Sequence, residues 1–468
     1  MKKITSLLMI FSTAIAFAQT PCSGGNAAGY PCNGYDLQSN IPLGIMGAQG
    51  GNDSWGWTDP QDGKEYAIIG LNNGTAFVDI DDPNNPIYLG KLPTHTSSTI
   101  WRDMKVIGNH VYIVSEAGGH GMQIFDLTRL RSVASPPETF TEDGHYNGFG
   151  SAHNIVSNPD TGYVYPVGTS LFNGGPVFIN VNDPLNPILE GGYSMSAYSH
   201  DAQIVTYNGP DTEHVGKEIM IGSNEDEVVI VDITDKLNPV ELGSTNYPSV
   251  SYTHQGWFTE DQRYFLVGDE GDELDFGFNT RTIVFDLEDL DNPFYDFEYL
   301  GPTGAIDHNG YVVGDKYYLA NYAAGLRVLD ISDIANQNMT EIGFFDSYPQ
   351  NNNTNYSGAW NVYPFFASGN IIISGDSGMT IAKVASLGTD DFANSKFAMY
   401  PNPTENIVTI SSESETISKI DIYNILGQNI LSRTFGSNLS ETLNISELNS
   451  GVYLVTINDN TTKRLVVK

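Results

Sequence analysis

Short apolar runs alternate along the chain with polar turns, and the alternation itself recurs about every 50 residues. One phase of the repeat is an apolar strand that ends in Asp or Asn and enters a turn. It reads Phe77-Val-Asp79-Ile-Asp-Asp82-Pro-Asn-Asn85-Pro86, then Phe178-Ile-Asn180-Val-Asn-Asp183-Pro-Leu-Asn186-Pro187. It returns as Ile230-Val-Asp232-Ile-Thr-Asp235-Lys-Leu-Asn238-Pro239 and Val284-Phe-Asp286-Leu-Glu-Asp289-Leu-Asp-Asn292-Pro293. Weaker copies are Ile124-Phe-Asp126-Leu and Val328-Leu-Asp330-Ile-Ser-Asp333. The second phase opens each unit: Asp53-Ser-Trp-Gly-Trp57, Trp101-Arg-Asp-Met104, Ala152-His-Asn154, Ser199-His-Asp201, Thr253-His-Gln255, Asp307-His-Asn309 and Ala359-Trp-Asn361. Seven openings, each followed by three or four strand-like runs, predict an all-β chain with a seven-bladed β-propeller. The seventh unit ends after Met379-Thr-Ile-Ala-Lys383 without its last strand. Asn40-Ile-Pro-Leu-Gly44 matches Pro86-Ile-Tyr-Leu-Gly90 and is expected to supply that strand, removing an open sheet edge.

The two ends read differently. Residues 1–18 have the form of a secretory signal peptide: Lys2 and Lys3, an apolar stretch from Ile4 to Ile15, and Ala16-Phe17-Ala18 before Gln19. The apolar stretch is too short for a transmembrane helix. Cys22 and Cys32 follow in an exported chain and are expected to pair as a disulfide. Residues 387–396 read as a linker. From 397 onward, short alternating strands separated by Gly, Asn and Ser predict a small C-terminal β-sandwich. Its phrases are Tyr400-Pro-Asn-Pro403, Tyr423-Asn-Ile-Leu-Gly-Gln428, Gly451-Val-Tyr453 and a basic ending at Lys463-Arg464. This region resembles the C-terminal sorting domain of the type IX secretion system. The resemblance implies that residues 397–468 engage that machinery, and that the protein is extracellular or held at the outer cell surface.

The repeat region, residues 19–386, resembles the choice-of-anchor B family of LVIVD-type repeat propellers. The resemblance rests on Gly51-Asn-Asp-Ser-Trp-Gly-Trp-Thr-Asp-Pro60, Trp101-Arg-Asp-Met104, Ser115-Glu-Ala-Gly-Gly-His-Gly-Met122, Asn224-Glu-Asp226, Thr253-His-Gln-Gly-Trp257 and Ala320-Asn-Tyr322. It implies a surface or secreted propeller and assigns no reaction.

Composition adds an exclusion. The chain of 468 residues carries 56 acidic and 21 basic residues, a formal charge of −35, so phosphate backbones and anionic lipid surfaces would repel it. Nucleic acid is not an expected partner.

Candidate chemistry gathers where the units open. His153, His200, His254 and His308 hold the same place in four successive units, and equivalent positions on inner strands converge on a propeller axis. They either brace neighbouring backbones or bind a divalent transition metal. Loops expected on the same face add Glu116, His120, His145, Asp201, Glu225, Asp226, Asp269, Glu270 and Asp307. Among these, Asp201, Glu270 and Asp307 are candidates for a catalytic base. Trp55, Trp57, Trp101, Trp257 and Trp360, with Arg102, would either stack on a ligand such as a glycan or protein, or pack between blades. The spaced carboxylates of the Asp-ending turns are expected to stabilise those turns rather than bind calcium. The leading functional expectation is a ligand-binding or adhesion module acting through a His- and Trp-rich face. The alternative is a metal-dependent oxidoreductase or hydrolase with a multi-His site at the axis.

Overall fold

The computed structural model describes residues 19–196, 198–385, 397–412, 415–424, 428–458 and 461–468. The expected signal peptide and linker lie outside these residues. The chain divides into two compact units, which meet between Ala385 and Ser386.

Among the described residues, the first unit has seven sheets, each with an antiparallel core of four strands. Their first strands are Gly51–Thr58, Arg102–Ile107, Asn154–Asn158, Asp201–Thr206, Thr253–Phe258, Gly310–Val313 and Ala359–Tyr363. Each first strand packs beside the next, and the seventh returns to the first, so the sheets form a closed ring. Seven apolar clusters fill the gaps between neighbouring sheets. Between the first two sheets, for example, Phe77 stacks on Phe125 at 4.6 Å with Phe140 against both. The central strands read as continuous apolar runs because both of their faces are buried in this way.

The Asp-ending turns use their own carboxylates. Asp79, Asp232 and Asp286 each accept from the backbone N–H two residues on, at 2.9–3.0 Å, and Asn180 does the same through its amide oxygen. The second acid of each turn accepts from the Asn side chain three residues later: Asp82 from Asn85, Asp183 from Asn186, Asp235 from Asn238 and Asp289 from Asn292, at 2.9–3.0 Å. These oxygens are committed to turn geometry, as side-chain turns of Asp and Asn generally are.

The N-terminal segment closes the seventh sheet, but not with the stretch the sequence suggested. The fourth strand is Tyr35–Ile41, paired antiparallel to Gly378–Val384. It carries a register shift between Leu37 and Ser39, the counterpart of the shift between third and fourth strands in five other sheets. Pro42 stops the strand, since it has no N–H for the ladder. Asn40-Ile-Pro-Leu-Gly44 therefore straddles the strand's end and the turn beyond it. The preceding residues Asn26–Ala27 and Tyr30–Asn33 extend the sixth sheet, and the Cys22–Cys32 disulfide ties this arm together.

The second unit has a three-stranded sheet (Phe397–Tyr400, Ile407–Ser412, Ser440–Asn444) and a four-stranded one (Ile417–Asn424, Asn429–Asn438, Gly451–Ile457, Thr461–Val467). Apolar residues of both share one core that includes Val408, Ile410, Ile420, Ile422, Val455 and Leu465.

Candidate functional site at the mouth of the ring

The four expected histidines come together as a staircase. Centroid separations are 4.2 Å from His153 to His200, 4.2 Å from His200 to His254 and 4.3 Å from His254 to His308. Each sits at or just before the start of a first strand. The backbone N–H groups of His153, His200 and His308 bond to the second strands of their own sheets. Ring orientation is set by the next sheet: His200 Nδ1 lies 3.1 Å from the His254 carbonyl and His308 Nδ1 lies 2.5 Å from the Trp360 carbonyl. A carbonyl can only accept, so in both rings Nδ1 carries the proton and Nε2 keeps its lone pair. His254 Nδ1 faces the His308 carbonyl without reaching bonding geometry. His153 turns outward, with Nδ1 2.6 Å from Glu116 Oε1.

Burial disfavours the imidazolium in His200, His254 and His308. It holds His254 and His308 down at about 3, with the neighbouring histidines adding repulsion, and pushes His200 well below the usual range. Glu270 faces two of these rings, 3.7 Å from His254 Nε2 and 3.6 Å from His308 Nε2. One ligand atom from each of the three lies within 4.8 Å of the others. Tyr322 Oη donates to Glu270 Oε1 at 2.7 Å and fixes the carboxylate. Of the four histidines, His254 and His308 therefore share an acidic partner, while His153 and His200 continue the row beside them.

Asn154, Gln255 and Asn309, which follow three of the histidines, and equivalent residues in other sheets brace the ring. Asp103 Oδ2 accepts from Ile155 N at 2.9 Å, Gln255 Oε1 from Gly310 N at 2.9 Å, and Asn361 Nδ2 donates to Ser54 O at 2.7 Å. Within this tier Lys105 Nζ lies 2.8 Å from Asp103 Oδ1. Burial opposes the Lys105 charge, but Asp103, Asp53 and Asp201 outweigh it and raise its pKa. One ammonium among three carboxylates leaves negative charge in excess. Burial, with Asp103 close by, lifts Asp53 well above the usual carboxylate range, and burial lifts Asp201 to about 7.

The tryptophans divide between packing and surface. Trp55 and Trp257 plug the ring with Tyr311 and Phe365, at centroid separations of 5.0–6.0 Å. Trp57 is buried against Tyr66 between the first two sheets. Trp360 packs on His308 at 5.0 Å and donates from Nε1 to Asp53 Oδ2 at 3.1 Å. Trp101 is the exposed one of the five, at 42%. A small cleft lined by Asp53, Trp101, Arg102, His153, Asn154, His308 and Trp360 has room for about one water. Arg102 itself is locked, bonded to Leu71 O, Thr94 Oγ1 and His120 Nε2.

His120 is buried behind Arg102, and His145 stacks on His95 at 3.7 Å and 10°. Glu142 lies 3.0 Å from His95 Nδ1. One ligand atom from each of His95, Glu142 and His145 also lies within 4.8 Å of the others, at a more exposed place than the row at the mouth. Asp307 is not at the mouth: it is buried between the fifth and sixth sheets, with Oδ2 2.3 Å from where a Cβ on Gly268 would stand. Lys105, Asp53, Asp103 and Tyr322 were not singled out as site residues. The signal for Asp53 and Asp103 was present, as polar residues of the unit openings.

Residues 398–468 match the secretion system C-terminal sorting domain family, and residues 219–247 and 311–345 match the LVIVD repeat family. No curated protein matches the chain by sequence. Similar solved structures include PorZ, a bacterial surface component of the type IX secretion system of Porphyromonas gingivalis. It is 12% identical at a TM-score of 0.47, over 87% of this chain and 58% of that one. Hydrazine synthase of Kuenenia stuttgartiensis is 12% identical at 0.46, over 67% and 89%. Sqt1 of Saccharomyces cerevisiae is 7% identical at 0.47, over 68% and 92%. The chain thus carries LVIVD repeats and a sorting domain, and is a type IX-exported protein, secreted or at the cell surface.

Proposed function

We propose that the exported part of this protein is a seven-bladed propeller of the choice-of-anchor B kind, carried by a sandwich-like sorting domain. Its ligand is a divalent transition metal, held at the propeller mouth by His254 Nε2, His308 Nε2 and Glu270. The observation that carries this reading is the meeting of Glu270 with the His308 lone pair. With Nδ1 donating to the Trp360 carbonyl, Nε2 and the carboxylate are two acceptors facing each other at 3.6 Å. Such a pair needs a cation between its members, and burial makes the imidazolium a poor one. A tetrahedral ion with ligands at about 2.1 Å sets neighbouring ligand atoms about 3.4 Å apart, close to the separations found. Tyr322 is the outer partner that such carboxylate ligands commonly have. Three protein ligands leave a position for an external group, and Trp101 and His153 border the approach. The burial or packing of Trp55, Trp57, Trp257 and Trp360 supports this site ahead of a carbohydrate-stacking platform.

The test is the metal content of the purified chain beside His254→Ala/His308→Ala and Glu270→Gln. We expect about one equivalent of zinc, manganese, iron or copper in the wild type, and its loss from the double variant with the far-ultraviolet spectrum unchanged. Wild-type protein that stays metal-free after incubation with each ion, with an unchanged melting temperature, would sink the reading.

A further inference from the structure

The second sheet is completed differently from the others. Its outer strand is the short Gly144–Tyr146, and the chain reaches it only after Glu138–Thr139 has paired parallel to Ile87–Pro93 of the first sheet. Glu142 lies on the crossing between these two pairings, and His145 sits in the outer strand itself, opposite Gln123. His95 belongs to the loop that leaves the first sheet after Pro93 and enters the second at Arg102. Three separate stretches of chain thus deliver His95, Glu142 and His145 to one place, where a ligand atom from each lies within 4.8 Å of the others.

Two of the three are held from behind by buried groups. Glu142 Oε1 faces His95 Nδ1 at 3.0 Å, while its Oε2 accepts from Gln123 Nε2 at 2.7 Å. Gln123 is 2% exposed and is itself fixed, donating to Pro93 O and lying 3.2 Å from His120 Nε2 through Oε1. His145 Nε2 donates to the His120 carbonyl at 2.7 Å, which leaves the lone pair on Nδ1. That approach requires Gly121, at φ +59°: a Cβ there would stand 2.3 Å from Tyr146 O and 3.1 Å from His145 Nε2. Hydrogen bonds of this kind, to the far side of an imidazole and a carboxylate, are what orients metal ligands. Among the described residues, His95 is the one ion-pair partner of Glu142, because Arg102 is committed to Leu71, Thr94 and His120.

Two imidazoles and a carboxylate are the protein donors of three-ligand zinc sites, which keep a fourth position for water. We propose that His95, Glu142 and His145 bind a zinc ion that fastens the crossing segment and outer strand of the second sheet to the loop entering its first strand. The ion takes the place between His95 Nδ1 and Glu142 Oε1, and the His95 proton moves to Nε2. The two rings stack at 3.7 Å and 10°, so the stack opens as both lone pairs turn to one point. His95, exposed and on a loop, is the ring free to turn.

The experiment titrates the metal-stripped full chain with zinc chloride by calorimetry, with thermal unfolding in parallel. His95→Ala, Glu142→Gln and His254→Ala/His308→Ala are treated alike. Because this site is exposed, its ion leaves on dialysis and adds to the metal of the purified chain only when zinc is offered. One equivalent should be missing from His95→Ala and retained by His254→Ala/His308→Ala, whose melting temperature zinc should raise. Glu142→Gln should bind that equivalent about tenfold more weakly or worse. The substituted residues at this site are exposed or half-buried, so an unchanged far-ultraviolet spectrum is expected. Zinc uptake and thermal shift that are the same in wild type and His95→Ala would overturn the proposal. An equivalent that disappears from His254→Ala/His308→Ala alone would also overturn it, and would leave the site at the ring mouth standing. An equivalent that disappears from His95→Ala alone would support this site even if the mouth binds nothing.

Discussion

His120 illustrates how a single buried ring acquires a pH dependence. Its Nδ1 donates to the Gly121 carbonyl at 3.0 Å, and its Nε2 accepts from Arg102 Nη1 at 3.0 Å. Burial first, and the Arg102 charge second, hold its pKa down to about 4. In the unfolded chain the ring titrates near 6.5. Above that pH it is neutral in both states and contributes no slope. Below it the unfolded state takes up the proton first, so stability falls by about 1.4 kcal/mol per pH unit down to about pH 4. His120→Gln, compared with wild type by denaturant unfolding at pH 7, 6 and 5, should lose part of that slope. Parallel curves would mean that the ring escapes its burial on protonation. At the mouth, burial holds His200, His254 and His308 below the usual range in the same way.

At the scale of elements, the strand that closes the seventh sheet carries the most consequence. Leu37 is buried with Ala359, Val362 and Ile373, and Asn40 Nδ2 donates to Thr380 Oγ1 at 2.9 Å. Deleting residues 19–41 would expose the ladder of Gly378–Val384, a long apolar edge of the kind that pairs with other chains. The expected outcome is a lower melting temperature and higher oligomers in size-exclusion chromatography. A monomer with wild-type stability would show that the ring does not depend on this closure. The disulfide is a smaller contribution: Cys22→Ala/Cys32→Ala opens a loop with a sequence separation of 10 and should cost about 2 kcal/mol in unfolding free energy. The repeat made this closure legible, because a seventh unit short of one strand is visible as text. Its register was not, since Asn40-Ile-Pro-Leu-Gly44 mimics a fourth strand while Pro42 cannot continue one.

At the scale of the whole molecule, the chain divides into two compact units, and the second contains residues 398–468, which match the sorting domain family. Removing residues 397–468 should leave the chain in the periplasm, measured by cell fractionation, with the unfolding transition of the first unit unchanged. Secretion of the truncated chain at wild-type levels would contradict the role of the sorting domain. The charge of −35 is spread over one chain that also buries many of its acids. The structural consequence is most evident between the fifth and sixth sheets, where Arg281 is bonded to Asp272 and Glu298 and lies 3.9 Å from Asp269.

The sequence by itself determined whatever is written in neighbouring residues. Alternation and continuous apolar runs specify strands, Asp-x-x-Asp turns end them, and the recurrence of both specifies how many times the unit is built. The sorting domain was legible for the same reason, as were the paired cysteines. The place of the four histidines in their units was readable too, and the staircase follows from it. Which nitrogen His200 and His308 offer was not, because a carbonyl from the next sheet, about 50 residues away, decides it. Nor could spacing tell Glu270, which meets His308 from another sheet, from Asp307, its neighbour in sequence, which turns away into the protein. Lys105 and Trp57 make the same point: burial, charge and ligand geometry are sums over everything within a few ångströms, and in a ring of sheets most of that neighbourhood comes from distant sequence.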